Sequence, residues 1–198
     1  MLKRVWRLFG KPDPAAVAAS IPTVTVRADD NDDSAASAAF VMPFEIRPIE
    51  PADGDALRQL FRQSVEQIGS KYYDAAATAA WARSADDVEF VSRLQRGLTL
   101  VAMLHGEHVG FAQLHPFDHV EMLYLSPAGT GLGIAALLCQ HLEDEARMAG
   151  SRKLTTASSL AARRFFESMG FRLSGEETVQ RHGVAIDRLR MEKTLVTG

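Results

Sequence analysis

The sequence predicts a mixed α/β domain, antiparallel early in the chain and carrying a strand–helix–strand unit in its second half. Three observations carry this. Apolar runs at Leu98–Leu104 and Val109–Leu114 flank a His105-Gly106-Glu107-His108 turn, as in a hairpin. A strand at His119–Leu125 enters a loop of small residues over 127–133 and then a long helix at Ile134–Met148. Past that helix, with Gly150 in the usual stop position, Lys153–Thr156 reads as another strand.

The chain has 198 residues, enough for one domain and an appendage. Residues 1–42 read as a mobile N-terminal tail. Alanines such as Ala35, Ala36, Ala38 and Ala39 and the acidic run Asp29, Asp30, Asp32 and Asp33 leave little apolar surface to offset ordering entropy. The first ten residues differ, because Leu2, Val5, Trp6 and Phe9 share one helical face beside Lys3, Arg4 and Arg7. That short basic amphipathic start suits a disordered tail or contact with an anionic membrane surface, and Arg7 breaks it too early for a secretory signal.

The domain is expected over 43–198. Phe44, Ile46 and Ile49 mark a first strand ending near Pro48. Asp53 opens an amphipathic helix with Leu57, Leu60, Phe61, Val65 and Ile68 at helical spacing. Helical stretches follow at Asp74–Arg83 and Ala85–Arg96, then the hairpin and the strand–loop–helix unit. Leu160–Met169 reads as a helix stopped by Gly170. Phe171–Leu173 starts a strand that continues through Thr178–Gln180, His182-Gly183 is a turn, and Ile186–Thr194 is the last strand.

A net charge of −3 offers no basic excess for nucleic acid. The single cysteine, Cys139, sits among leucines as a small hydrophobe, excludes an internal disulfide and fits a reducing, cytoplasmic compartment. No run of about 18 apolar residues is present to span a membrane. His115 and His119 are four apart, but a Pro-containing loop separates them and no third ligand is evident, so no metal is expected.

The stretch Leu123–Leu138, LYLSPAGTGLGIAALL, carries the chemistry. Gly131 and Gly133 let backbone N–H groups close on a ligand, and the helix N-terminus adds partial positive charge, together an anion nest suited to a pyrophosphate. A tight packing turn needs the same glycines. Ala136 stands where a dinucleotide fingerprint has its third glycine, and no Lys-Ser/Thr pair follows as in a Walker loop.

Some twenty residues later comes Ser158-Ser159-Leu160-Ala161-Ala162-Arg163-Arg164-Phe165-Phe166-Glu167-Ser168-Met169-Gly170-Phe171. With both stretches in view, the chain resembles the GNAT acetyltransferases over roughly Phe44 to Leu195. The first is similar to that family's coenzyme motif V-x-P-x-x-Q-G-x-G-I-G, with Leu125, Pro127, Gly131, Gly133 and Ile134 in place. The second is similar to N-x-x-A-x-x-F-Y-x-x-x-G-F, with Ala162, Phe165, Gly170 and Phe171 in place. Thr130 stands for the family's Gln or Arg, Leu132 for a frequent Arg, Ala135 for the last Gly, Ser159 for the Asn and Phe166 for the Tyr that often protonates the departing thiolate.

The resemblance implies the GNAT acyl-CoA N-acyltransferase fold, with acetyl-CoA as cosubstrate lying where two parallel strands splay apart. It implies a bulge near Met122–Tyr124, pantetheine pairing by Leu123, Tyr124 and Leu125, and pyrophosphate held by N–H groups of Gly131, Leu132, Gly133, Ile134, Ala135 and Ala136. Ser159 and Phe166 join that coenzyme site, Ser158 and Ser159 being placed to cap the following helix. An amine of a small molecule or peptide would attack the thioester directly once a base has taken its proton. Glu121, interrupting an apolar strand, is the candidate base, or else a solvent-facing residue of an alternating strand. Tyr72 or Tyr73 could supply a phenol, with Tyr73 and Trp81 at the acceptor pocket, or they are half-buried packing; Tyr124 has the same two readings. An active acetyltransferase, a non-catalytic acyl-CoA-binding module and a membrane-peripheral interaction domain remain as readings, for a monomer or a homodimer.

Overall fold

The computed structural model describes residues 44–195. The expected tail and its amphipathic start lie outside the described residues. The elements are β1 (Phe44–Pro48), α1 (Gly54–Gln67), α2 (Ala75–Ala82), α3 (Phe90–Leu94), β2 (Leu98–Leu104), β3 (Glu107–Leu114), β4 (His119–Leu125), α4 (Ile134–Met148), β5 (Lys153–Ser158), α5 (Arg163–Ser168), β6 (Arg172–Arg181) and β7 (Val184–Thr194).

All seven strands form one sheet in the order β1-β2-β3-β4-β5-β7-β6. Every neighbouring pair is antiparallel except β4 and β5, which the α4 crossover makes parallel. Apolar residues alternate between the two faces. One face packs Leu100, Ala102, Ala112, Leu154 and Met191 under Leu138, Cys139, Leu142 and Ala146 of α4 and Phe166 of α5. The other packs Val101, Phe111 and Met122 under Leu57, Leu60, Phe61 and Val65 of α1 and Phe90 and Leu94 of α3. The helical spacing of those side chains is what lets each helix cover a sheet face.

Two helices differ from the sequence expectation. The helix expected over Ala85–Arg96 becomes a 3₁₀ turn at Arg83–Asp86 and the short α3, because Asp87 leaves the helical region at φ −57°, ψ 133°. The helix expected over Leu160–Met169 splits into a 3₁₀ turn at Leu160–Ala162 and α5. The strand expected to start at Phe171 and continue through Gln180 is β6, with a register shift between Leu173 and Gly175.

A buried ionic knot ties the start of α1 to the sheet. Asp53, 3% exposed, receives both Nη groups of Arg47 at 2.8 Å, the Glu50 N–H at 2.7 Å and a contact from His108 Nε2 at 2.8 Å. The Arg47 guanidinium holds the Asp53 carboxyl well below the usual carboxylate range. Asp53 therefore works as an anchor between β1, β3 and α1 more than as an N-cap, and its side chain makes no capping bond to α1.

Candidate active site

The strand pairing itself makes the site. β4 and β5 pair at only two positions, His119 with Thr155 and Val120 with Thr156, and then diverge. At the same place β4 carries a bulge. Gln113 of β3 lies opposite Met122 and Leu114 opposite Val120, so Glu121 is the extra residue. Packing agrees: Val120 falls with Leu123 and Leu125 on the α4 face, while Met122 and Tyr124 fall on the α1 face. Strict alternation would have put Val120 with Met122. The bulge expected near Met122–Tyr124 thus lies at Glu121, and it turns that carboxylate out of the pleat at the mouth of the gap.

A cavity of about 470 Å³ runs through this gap. Leu123, Tyr124 and Leu125 of β4 form one wall, and Ser159 and Phe166 lie on the β5–α5 side. Gly131, Gly133, Ile134, Ala135 and Ala136 line the end where α4 begins. Gly133 has φ +77° and Gly131 φ +78°, conformations that L side chains rarely adopt, and a Cβ on either would point into open space. No side chain caps α4 among the described residues. Its first-turn N–H groups, which no helix satisfies internally, are left for an anion. Leu132 is not on the cavity wall; it packs against the α4-face core.

Ser159 caps the turn after β5, its hydroxyl accepting from the Ala162 N–H at 3.2 Å, whereas the Ser158 hydroxyl donates to the Ser159 carbonyl at 2.8 Å. Phe166 is 3% exposed and packs edge-on against Phe165 and Phe171. It has the cavity on its open side and no proton to give.

On the α1 face the cavity meets Tyr73 and Trp81, whose rings pack edge-to-face at 5.3 Å. The Tyr73 hydroxyl donates to the Asp187 carbonyl at 2.9 Å and accepts from the Leu160 N–H at 2.8 Å. It thereby ties the segment before α2 to β7 and to the turn that follows β5. Burial raises its pKa. Tyr124 packs on Phe61 and Phe111 with centroids at 4.6 and 5.5 Å, and burial pushes its phenol up to about 12. Tyr72 is exposed and is not on the cavity wall.

Glu121 is solvent-exposed and lies 3.6 Å from Nε2 of His119. With the Thr155 hydroxyl assigned as donor to the Asp118 carbonyl at 3.1 Å, its contact with His119 Nδ1 at 2.8 Å is assigned to an Nδ1–H donor. Neutral His119 therefore presents the Nε2 lone pair toward Glu121. Burial lowers the His119 pKa, against smaller opposing pulls from Glu121 and Asp118. The result is two proton acceptors side by side at the point where the sheet opens. From sequence, His119 was considered only as a metal partner of His115. Its pairing with Thr155 depends on β4 lying beside β5, which no local pattern announces. Among the described residues no three His, Cys, Asp or Glu side chains cluster as a metal site. Cys139 is fully buried, and burial pushes its thiol up to about 12.

A two-strand splay, a bulge at the gap and an uncapped helix start bound the cleft. The family model of the acetyltransferase (GNAT) domain matches residues 64–195. The chain belongs to the GNAT acetyltransferase family. This makes it an acyltransferase of the N-acetyltransferase type. Among proteins similar to this GNAT enzyme is the N-acetyltransferase YafP of Escherichia coli (strain K12), 28% identical over 140 residues, which are 70% of this chain and 88% of YafP. A GCN5-related N-acetyltransferase structure from Rhodopseudomonas palustris is 36% identical, with a TM-score of 0.75, covering 76% of this chain and 95% of that one. The fold is shared with the PaiA N-acetyltransferase of Thermoplasma acidophilum, solved in complex with coenzyme A, at 21% identity and a TM-score of 0.62 over 78% of this chain and 100% of that one.

Proposed function

We propose that this GNAT enzyme moves the acetyl group of acetyl-CoA to a primary amine of a small molecule or peptide by direct attack. The observation that carries the reading is Glu121 beside the His119 Nε2 lone pair, at the opening of a cleft whose far end is the uncapped start of α4. The residues fit the cosubstrate. Open space over Gly131 and Gly133 and the free N–H groups of the first α4 turn suit the pyrophosphate, and the diverging edge of β4 at Leu123–Leu125 has room for the pantetheine arm. When bound, acetyl-CoA supplies the activated thioester.

The chain's own residues do the rest. An ammonium has no lone pair to attack with, so the acceptor must first give up a proton. Glu121 takes it, directly or through water, and His119 Nε2 accepts a second N–H bond from the same nitrogen. The Glu121 bulge turns backbone N–H groups out of the β3 ladder, where one of them can polarise the carbonyl under attack. Tyr73 holds the far wall in place. Its proton is already given to Asp187, so it serves as donor only if that bond opens. The departing thiolate has a solution pKa of about 8.5 and leaves tolerably near neutral pH without a phenol at position 166.

Thiol release from acetyl-CoA across a panel of primary amines, with thermal stabilisation by CoA measured on the same protein, tests this. Thiol release that depends on amine is the expected result. CoA stabilisation with no release for any amine would mean a coenzyme-binding module, the reading that Phe166 favours.

A further inference from the structure

A second cavity, of about 410 Å³, opens on the α1 face of the sheet beside the coenzyme cleft. Glu121 lines both. An acceptor whose amine is deprotonated by Glu121 therefore has a second chamber for its remaining atoms, within the size range of small-ligand sites.

The charges in this chamber are separated. Arg93 and Arg96, at and beyond the end of α3, line one side. Glu121, His119 and Asp118 line the side that belongs to β4 and the turn before it. The arginine side is rigidly mounted. Gln113, only 1% exposed, donates its amide to the carbonyls of both Arg93 and Arg96, at 2.7 and 2.8 Å. That clamps the end of α3 onto β3.

Neither arginine is fully used. Among the described residues Arg96 has only a 3.9 Å side-chain contact with exposed Glu89, a geometry of little energetic weight. Arg93 gives one Nη to Asp87 at 3.3 Å and lays its guanidinium over the Phe90 ring at 5.9 Å, while its Nε is closed off by protein. Both side chains line the chamber, and guanidinium N–H groups bind a carboxylate through charge-assisted hydrogen bonds.

Resting on the acetyl-transfer reading above, we infer that the acceptor is an amino carboxylate: its amine meets Glu121 and His119, and its carboxylate is received by Arg93 and Arg96. The chamber then selects free amino acids, or compounds with an equivalent amine and carboxylate, over amines lacking the acid group.

The test is calorimetry on the full chain saturated with CoA, which needs no turnover. Phenylalanine, methionine and glutamine are each titrated beside the matching carboxamide. At least one acid is expected to bind roughly tenfold more tightly than its amide. That preference should disappear in Arg93→Gln and shrink in Arg96→Gln, while the CoA-induced rise in melting temperature stays as in wild type and reports that both variants are folded. Equal binding of acid and amide, no binding of any acid in the millimolar range, or a preference that survives in both arginine variants would overturn the assignment. Acetyl transfer to the same compounds is read separately. Selective binding without transfer counts against the transferase reading and leaves the carboxylate site standing.

Discussion

The Glu121 carboxylate stands 3.6 Å from Nε2 of His119, with the imidazole held from behind by Thr155. Both groups accept protons, so the space between them suits an N–H donor, and an incoming amine is such a donor. Replacing Glu121 with Gln keeps the size and removes the carboxylate. Glu121→Gln should lower kcat about a hundredfold or more and flatten the acidic limb of the rate–pH profile. Stopped or continuous thiol-release assays across pH measure this. A rate near wild type would make Glu121 a structural residue of the bulge.

His119 carries a pH signature of its own. Its folded pKa is lowered by burial, so below about 6.5 the unfolded chain takes up a proton more readily than the folded one. The stability linked to neutral His119 is fully present above that pH and is lost as pH falls. His119→Asn retains an N–H donor for Thr155 and does not titrate. The melting-temperature advantage of wild type over His119→Asn should therefore shrink as pH is lowered from 7.5 to 5, by differential scanning calorimetry. A constant difference across that range would contradict the sign.

Gly133 combines φ +77° with open space over its Cα. Gly133→Ala should cost about 1–2 kcal/mol of stability from the left-handed backbone alone. It should also weaken CoA binding at least tenfold, because its methyl group stands where phosphate must approach the α4 N–H groups. Gly106, at φ +83° with equally open space in the β2–β3 turn, is the control. Gly106→Ala should show a similar stability cost and unchanged CoA affinity. Equal CoA affinities in the two variants would detach Gly133 from the coenzyme.

Tyr73 ties three segments together through one oxygen. Tyr73→Phe leaves the Leu160 N–H and the Asp187 carbonyl without their partner, a loss of about 1–3 kcal/mol measurable by urea denaturation. If positioning is its role, KM for the amine should rise while the shape of the kcat–pH profile stays as in wild type. Disappearance of an alkaline limb would instead make the phenol a proton donor.

Much of the proposed coenzyme half of the site rests on patterns readable in the residues. Gly131 and Gly133 before an apolar helix, and Ala162 to Phe171 after the next strand, are contiguous patterns, and contiguous patterns survive in one dimension. The acceptor half was not legible in the same way. His119 meets Thr155 because β4 and β5 are neighbours, and Arg93 faces Glu121 because Gln113 clamps α3 onto β3. Each depends on strand order or on one buried polar clamp. The bulge was expected a residue or more too late. Its position shows only in the switch of Val120 and Met122 to opposite faces, which burial reveals and alternating hydrophobicity hides. The α3 region was overread as a long helix, because helical spacing in Ala85–Arg96 gave no sign that Asp87 turns out of it.

The two-rung junction between β4 and β5 also bears on how the molecule breathes. β1 through β4 form one block, and β5, β7 and β6 form another, joined across the sheet by little backbone hydrogen bonding. A ligand laid along the parted edges restores cross-links where the strands have none, and in doing so it staples the blocks. Coenzyme occupancy would thereby tie the two strand blocks together along their edges as well as through the shared core, and amide exchange in β5 and β7 would slow along the whole seam.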